Sequence, residues 1–118
     1  MASLTTTGLS EAFALLAHPY RRFVLYYLTN ESETVAVDTL AAAIATWEES
    51  HTGRDRSADR DVIEVELHHT HLPKLVDAGV VTVRADGNAI ELRETEGLVD
   101  FLGDTVQIDG YTRTVADD

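Results

Sequence analysis

The sequence predicts a mainly α domain with a small antiparallel β-hairpin, an α+β arrangement, and three observations predict it. Apolar residues recur at helical spacing in successive blocks from Leu9 to Val76. Gly79 then stands where a helix must stop and the backbone turns to positive φ. Beyond it, the β-prone runs 80–84 and 89–92 flank Ala85-Asp86-Gly87-Asn88, whose Asp-Gly pair suits a tight hairpin turn.

Each element has a local reason. Ser10 is placed to cap a first helix carrying Leu9, Phe13 and Leu16, which His18-Pro19 closes while proline opens the next helix. That second helix, 19–28, puts Tyr20, Val24, Tyr27 and Leu28 on one side. Residues 34–37 form a brief strand, and Asp38 caps a third helix to about Glu49, with Leu40, Ile44 and Trp47 along one stripe and Ala41, Ala42, Ala43 and Ala45 allowing close packing. Residues 51–61 are polar and charged and read as a loop. A fourth helix runs from Asp59 or Asp61 to Ala78 and is expected to kink at Pro73, which removes one backbone hydrogen bond. After the hairpin, Thr95 caps a last helix with Leu98, Phe101, Leu102 and Val106, and in the polar tail 107–118 Ile108 and Tyr111 are the expected anchors.

With 118 residues and no shift in composition, one domain is expected over 1–118, its core near 9–106 and its tails disordered. No apolar run is long enough to span a bilayer and the first residues lack a secretory pattern, so a cytoplasmic location is expected. The absence of cysteine excludes disulfides, thiol catalysis and thiolate metal sites. A net charge of −12, from 21 acids against 9 lysines and arginines, would repel a phosphate backbone. The acids are scattered and lysine is confined to Lys74, a composition similar to that of halophilic archaeal proteins, where molar salt screens charge beyond about 3 Å. On that reading the charge reports habitat rather than partner.

Two segments carry a family resemblance. Residues 16–25, Leu-Ala-His-Pro-Tyr-Arg-Arg-Phe-Val-Leu, and residues 71–80, His-Leu-Pro-Lys-Leu-Val-Asp-Ala-Gly-Val, resemble motifs of the ArsR-type winged helix-turn-helix domain, at its second helix and at the end of its recognition helix. The order of elements from about Leu9 to Phe101 matches that plan, and the His-Leu-Pro-Lys-Leu wording resembles a group of winged-helix domains common in halophilic archaea. The resemblance implies a winged helix-turn-helix fold, a recognition helix over 61–78, a wing over 80–92 and a DNA-binding transcriptional regulator. The long charged loop between Trp47 and Val62 departs from the usual three- or four-residue turn, and the cysteine motif of metal-sensing members is absent.

At about 100° per residue along a straight helix, Val65, Leu72, Leu75 and Val76 form the buried stripe, His68 falls within it as a packing histidine, and Ile63 and Leu67 point outward. Thr70 and Lys74, with His69 beside them, are then the expected contacts to phosphate or base edges, while Glu66 is either an acceptor for a cytosine amino group or a solvated acid. Arg54, Arg56 and Arg60 suit phosphate clamping or pair with Asp55, Asp59 and Asp61, and Arg84 at the wing base could reach a minor groove. Arg21 and Arg22 are expected to pair with acids or cap carbonyls between helices.

Glu64, His68 and His71, with His18 or His51, could make a non-thiolate metal site, but histidines on an acidic helix are more commonly plain polar side chains; no metal and no cofactor is expected. No catalytic constellation or phosphate-cradling glycine loop is present, so no enzyme is expected. The expected partners are double-stranded DNA and a second copy of the chain, paired through the faces Leu9/Phe13/Leu16 and Leu98/Leu102/Val106. The alternative is a winged-helix protein-interaction module without DNA binding, recruiting a partner through outward Ile63 and Leu67 and the long loop.

Overall fold

The computed structural model of the chain describes residues 6–55, 59–84, 86–93, 102–103 and 105–111. Helices α1 (Thr6–Leu15), α2 (Pro19–Asn30) and α3 (Val37–Thr52) precede a long interrupted helix made of α4 (Arg60–Glu66), a π-helical turn (Leu67–His71) and α5 (Leu72–Asp77). Strand β1 (Thr34–Ala36) lies between α2 and α3, and β2 (Val81–Val83) and β3 (Ala89–Leu92) follow α5; the short helix α6 (Thr105–Ile108) comes last. The architecture is mainly helical with a small three-stranded antiparallel sheet, a winged-helix-like α+β arrangement.

Helix α2 is the centre of the core. Phe23, Val24, Leu25, Tyr26 and Leu28 are all buried, so nearly its whole circumference is covered rather than one stripe. His18 is its N-cap, its Nδ1 accepting from the Tyr20 N–H at 3.0 Å, and Pro19 takes the first helical position. Helix α1 begins at Thr6, before the expected cap Ser10, and buries Ala12; Leu16 follows it into the core while Phe13 is largely exposed. Helix α3 begins at Val37 with Ala36 as its N-cap, so Asp38 sits in the first turn rather than at the cap. It buries Leu40, Ala41, Ile44 and Ala45 and continues to Thr52, which leaves 53–59 as the connection in place of the expected 51–61.

Pro73 does not simply kink its helix. The turn ahead of it widens, and the Leu72 N–H reaches back to the Leu67 carbonyl. The pyrrolidine ring would otherwise press on the His69 carbonyl, and a π-turn is one of the few ways an α-helix takes up that conflict. One extra residue in the turn resets the helical phase. Ile63, Leu67, His71 and Leu75, each four residues apart, all stay buried, whereas on a straight α-helix they would drift by about 40° at each step. The stripe expected from a straight helix is therefore corrected: up to the turn, Ile63 and Leu67 are 1% and 0% exposed, Val65 is on the surface and His68 is exposed, and beyond it Val76 is on the surface too.

The helix ends as its sequence requires. Gly79 takes φ 80°, its N–H bonds the Val76 carbonyl at 2.9 Å, and the Val80 N–H bonds the Leu75 carbonyl at 3.1 Å. This is a Schellman cap, sealed by contact of buried Leu75 and Val80. The chain then enters β2. Strand β3 lies between β1 and β2, pairing Val35 with Ile90 on one side and Val81 with Leu92 on the other, and Val35, Val81 and Ile90 point into the core. Gly87 turns the hairpin at φ 76°, and the Asp86 side chain accepts from the Asn88 N–H at 3.0 Å. Most of the last helix expected from Thr95 lies outside the described residues; of its apolar set, Leu102 is buried and Val106 packs against the core.

Candidate nucleic-acid interface

Because the buried row of the interrupted helix repeats every four residues, the remaining side chains fall into three rows of the same period. Val62, Glu66, Thr70 and Lys74 make one; Val65, His69 and Pro73 a second, on the side away from the core; Arg60, Glu64 and His68 a third. All but the half-buried Glu64 are exposed. Thr70 and His69 thus stand on the accessible side of the helix, where the sequence places them, and Arg60 is exposed at its start. Glu64 and His68 approach each other at 3.9 Å, while Lys74 borders a shallow groove against the end of α1, next to Glu11 and Asp77.

The hairpin adds Arg84, whose Nη1 lies 3.5 Å from the Glu91 carboxylate, an exposed pair. It also adds Arg93, not singled out from the sequence, whose guanidinium donates to the Thr82 hydroxyl at 3.3 Å. Its signal was available: it is the first residue past β3, and its backbone N–H extends the ladder to the Val80 carbonyl. Arg54 is exposed just beyond the end of α3, and Arg56 lies outside the described residues. Charge on this side remains unfavourable to phosphate: residues 59–77 contain five acids against Arg60 and Lys74.

Beneath the helix, Arg21 is nearly fully buried. Its guanidinium donates to the carbonyls of Leu15 at 2.5 Å and Ala14 at 3.2 Å, and to His71 Nδ1 at 3.0 Å. A guanidinium can only donate, so His71 Nδ1 accepts and the ring is neutral with its proton on Nε2. Burial pushes the His71 pKa down to about 4, helped by His18, Arg21 and Lys74. The His18 ring lies 4.2 Å from that of His71, and its pKa is lowered by burial and by Arg21. This cluster ties the α1–α2 junction to the π-turn. Among the described residues no group of three or more histidines and acids is placed to hold a metal.

A second interior link fixes the C-terminal segment. Arg22 meets the Asp109 carboxylate with two bonds of 2.6 and 3.0 Å and donates to the Leu16 carbonyl at 2.6 Å. The Tyr26 hydroxyl donates to the same carboxylate at 2.5 Å, and the Trp47 indole donates to the Asp109 carbonyl at 2.9 Å. Burial opposes the Asp109 charge, yet the bonds from Arg22 and Tyr26 hold its pKa below the usual value; burial and Asp109 push Tyr26 up to about 12. Tyr111 is buried beside it, but Ile108 is 84% exposed and anchors nothing. Arg21 and Arg22 therefore cap carbonyls and pair with acid, as expected, and lie behind the interface.

Residues 13–91, about two thirds of the chain, match a Domain of unknown function (DUF7344). The chain belongs to the DUF7344 family. Its matched region runs from the end of α1 into β3 and so includes the Arg21–His71 link and the whole interrupted helix, whereas Asp109 lies beyond it. No curated protein and no solved structure matches the chain. Within this DUF7344 domain, two expected partner surfaces change. Ile63 and Leu67, assigned to a protein partner in the alternative reading, are core residues because the π-turn rotates them inward. Of the faces assigned to a dimer, Leu16 and Leu102 are buried in the chain's own core, and Leu98 lies outside the described residues. Among the described residues no helix is long and apolar enough to cross a membrane.

Proposed function

We propose that this DUF7344 chain is a cytoplasmic, non-enzymatic DNA-binding transcriptional regulator acting on duplex DNA as a homodimer, with 60–77 as the recognition helix and the hairpin as the wing. The observation that carries the reading is the exposure of Arg60, His69 and Thr70 on a helix anchored by Ile63, Leu67, His71 and Leu75 and followed directly by a hairpin bearing Arg84 and Arg93. A helix fixed along one row can enter a major groove with its free rows, and arginines on a hairpin suit the adjacent backbone or minor groove. Ile63 and Leu67, two of the residues on which the alternative of a protein-interaction module was argued, are buried, which leaves that alternative the long loop alone.

The acids along 59–77 set a condition on binding. They raise the cost of approach at low salt, so log K should fall with log potassium chloride less steeply than the number of phosphate contacts implies. Fluorescence anisotropy of the full chain against labelled genomic fragments in molar potassium chloride tests the proposal. Saturable binding weakened by Arg60→Ala, Thr70→Ala and Arg84→Ala is expected. Absence of saturable binding, or binding indifferent to all three changes, refutes it.

A further inference from the structure

The core does not account for Val62 and Val65. They are 55% and 56% exposed, one turn apart on the first half of the recognition helix. Val65 lies about 200° around the helix from buried Ile63. The π-turn produces this placement: it turns Ile63 and Leu67 to the core and leaves the two valines outward. Two half-exposed valines are a small fraction of the roughly 800 Å² per partner that a stable protein interface buries. They are suited to covering a single methyl group each.

Resting on the DNA-binding reading above, we infer that Val62 and Val65 read thymine methyl groups of A·T pairs in the major groove. The thymine C5-methyl is the apolar group that base edges present there. The neighbouring charges agree with that choice. Exposed Asp61 and Glu66 flank the valines on the same turns, and carboxylates accept hydrogen bonds but cannot donate them. They can accept from the adenine N6 amino group that an A·T pair presents beside its methyl, as they can from the cytosine N4 amino group of a G·C pair, so the preference for A·T rests on the valines and the methyl. The same acids weaken nonspecific attraction to phosphate, so apolar base contact takes a larger share of recognition than in a basic domain.

The test uses the full chain and duplexes selected from a random library, each then synthesised with thymidine or with deoxyuridine, which lacks only the methyl. Affinity is expected to fall about fourfold for each thymine methyl lost from a contacted pair, the effect of exposing one buried methyl. In V62A/V65A the thymidine duplex should bind as weakly as the deoxyuridine duplex binds wild type, and the thymidine-to-deoxyuridine ratio should collapse to one. Saturable wild-type binding with equal affinity for both duplexes overturns this inference and leaves the DNA-binding reading standing. A ratio that persists in V62A/V65A overturns it too, since the methyl then acts through DNA shape. Self-association that disappears in V62A/V65A, with no thymidine preference, assigns the valines to a protein contact. No saturable binding to any duplex removes the underlying reading itself.

Discussion

Arg21 and Arg22 sit side by side on α2, and Arg84 and Arg93 frame the hairpin, yet the two pairs do different work. The α2 arginines are held at 2.5–3.2 Å by carbonyls, His71 and a carboxylate, at fixed angles and largely away from water. Those of the hairpin are exposed and make single longer contacts of 3.5 Å to Glu91 and 3.3 Å to Thr82. The same side chain is therefore structural where its donors are saturated and buried, and available where one weak contact leaves most of its donors in solvent. A chain with nine lysines and arginines cannot treat them as one electrostatic pool.

The largest expected effect falls on the interior side. Asp109→Ala leaves the Arg22 guanidinium and the Tyr26 hydroxyl without their carboxylate in a mostly buried pocket, and should cost about 3 kcal/mol of unfolding free energy. Urea denaturation of the variant checks it, and a double change with Arg22→Met should cost less than the sum of the two. A loss below about 0.5 kcal/mol would place this link with surface ion pairs instead.

Acid should reveal the second interior link. The folded pKa of His71, about 4, lies below the unfolded value of 6.5. The unfolded chain then binds the proton first, so this contribution is fully present above pH 6.5 and is lost as pH falls from 6.5 towards 4. His18 shifts in the same direction. The loss should reach about 2 to 3 kcal/mol near pH 4, and His71→Leu should flatten that part of the stability curve. An unchanged slope in the variant would show that another group governs it. Arg21→Met, which takes the guanidinium donor from the Leu15 carbonyl and His71 Nδ1 while the Ala14 carbonyl keeps the Ala17 N–H, should cost about 2 kcal/mol at neutral pH; measured against Asp109→Ala, it ranks the two links.

Replacing the surface arginines should do the reverse. Arg84→Ala and Arg93→Ala should each change stability by less than about 0.5 kcal/mol. Each should reduce the salt dependence of DNA binding by up to about one unit of slope. Loss of stability with either would move that arginine to the structural side.

Much of this division was legible in the sequence where causes are local. Gly79 marked the helix exit, Asp86-Gly87 marked the hairpin, and His18-Pro19 marked the α1–α2 corner, because each depends on neighbours within a few residues. The capping function of Arg21 and Arg22 was also expected. The buried face of the interrupted helix was misread because a uniform advance of about 100° was carried through Pro73. The four-residue spacing of Ile63, Leu67, His71 and Leu75 was the available sign that the helix widens. Asp109 was missed for another reason: its partner Arg22 is 87 residues away, and no local pattern links an aspartate in a polar tail to a central helix.

The division of labour between buried and exposed side chains meets its most direct test in one pair of readings on the Arg60→Ala/Thr70→Ala/Arg84→Ala variant. These readings are its melting temperature and its affinity for a selected duplex in molar potassium chloride, each beside wild type. An unchanged melting temperature with binding reduced at least tenfold is predicted. Undiminished affinity in a fully folded triple variant would contradict the assignment of this face to DNA.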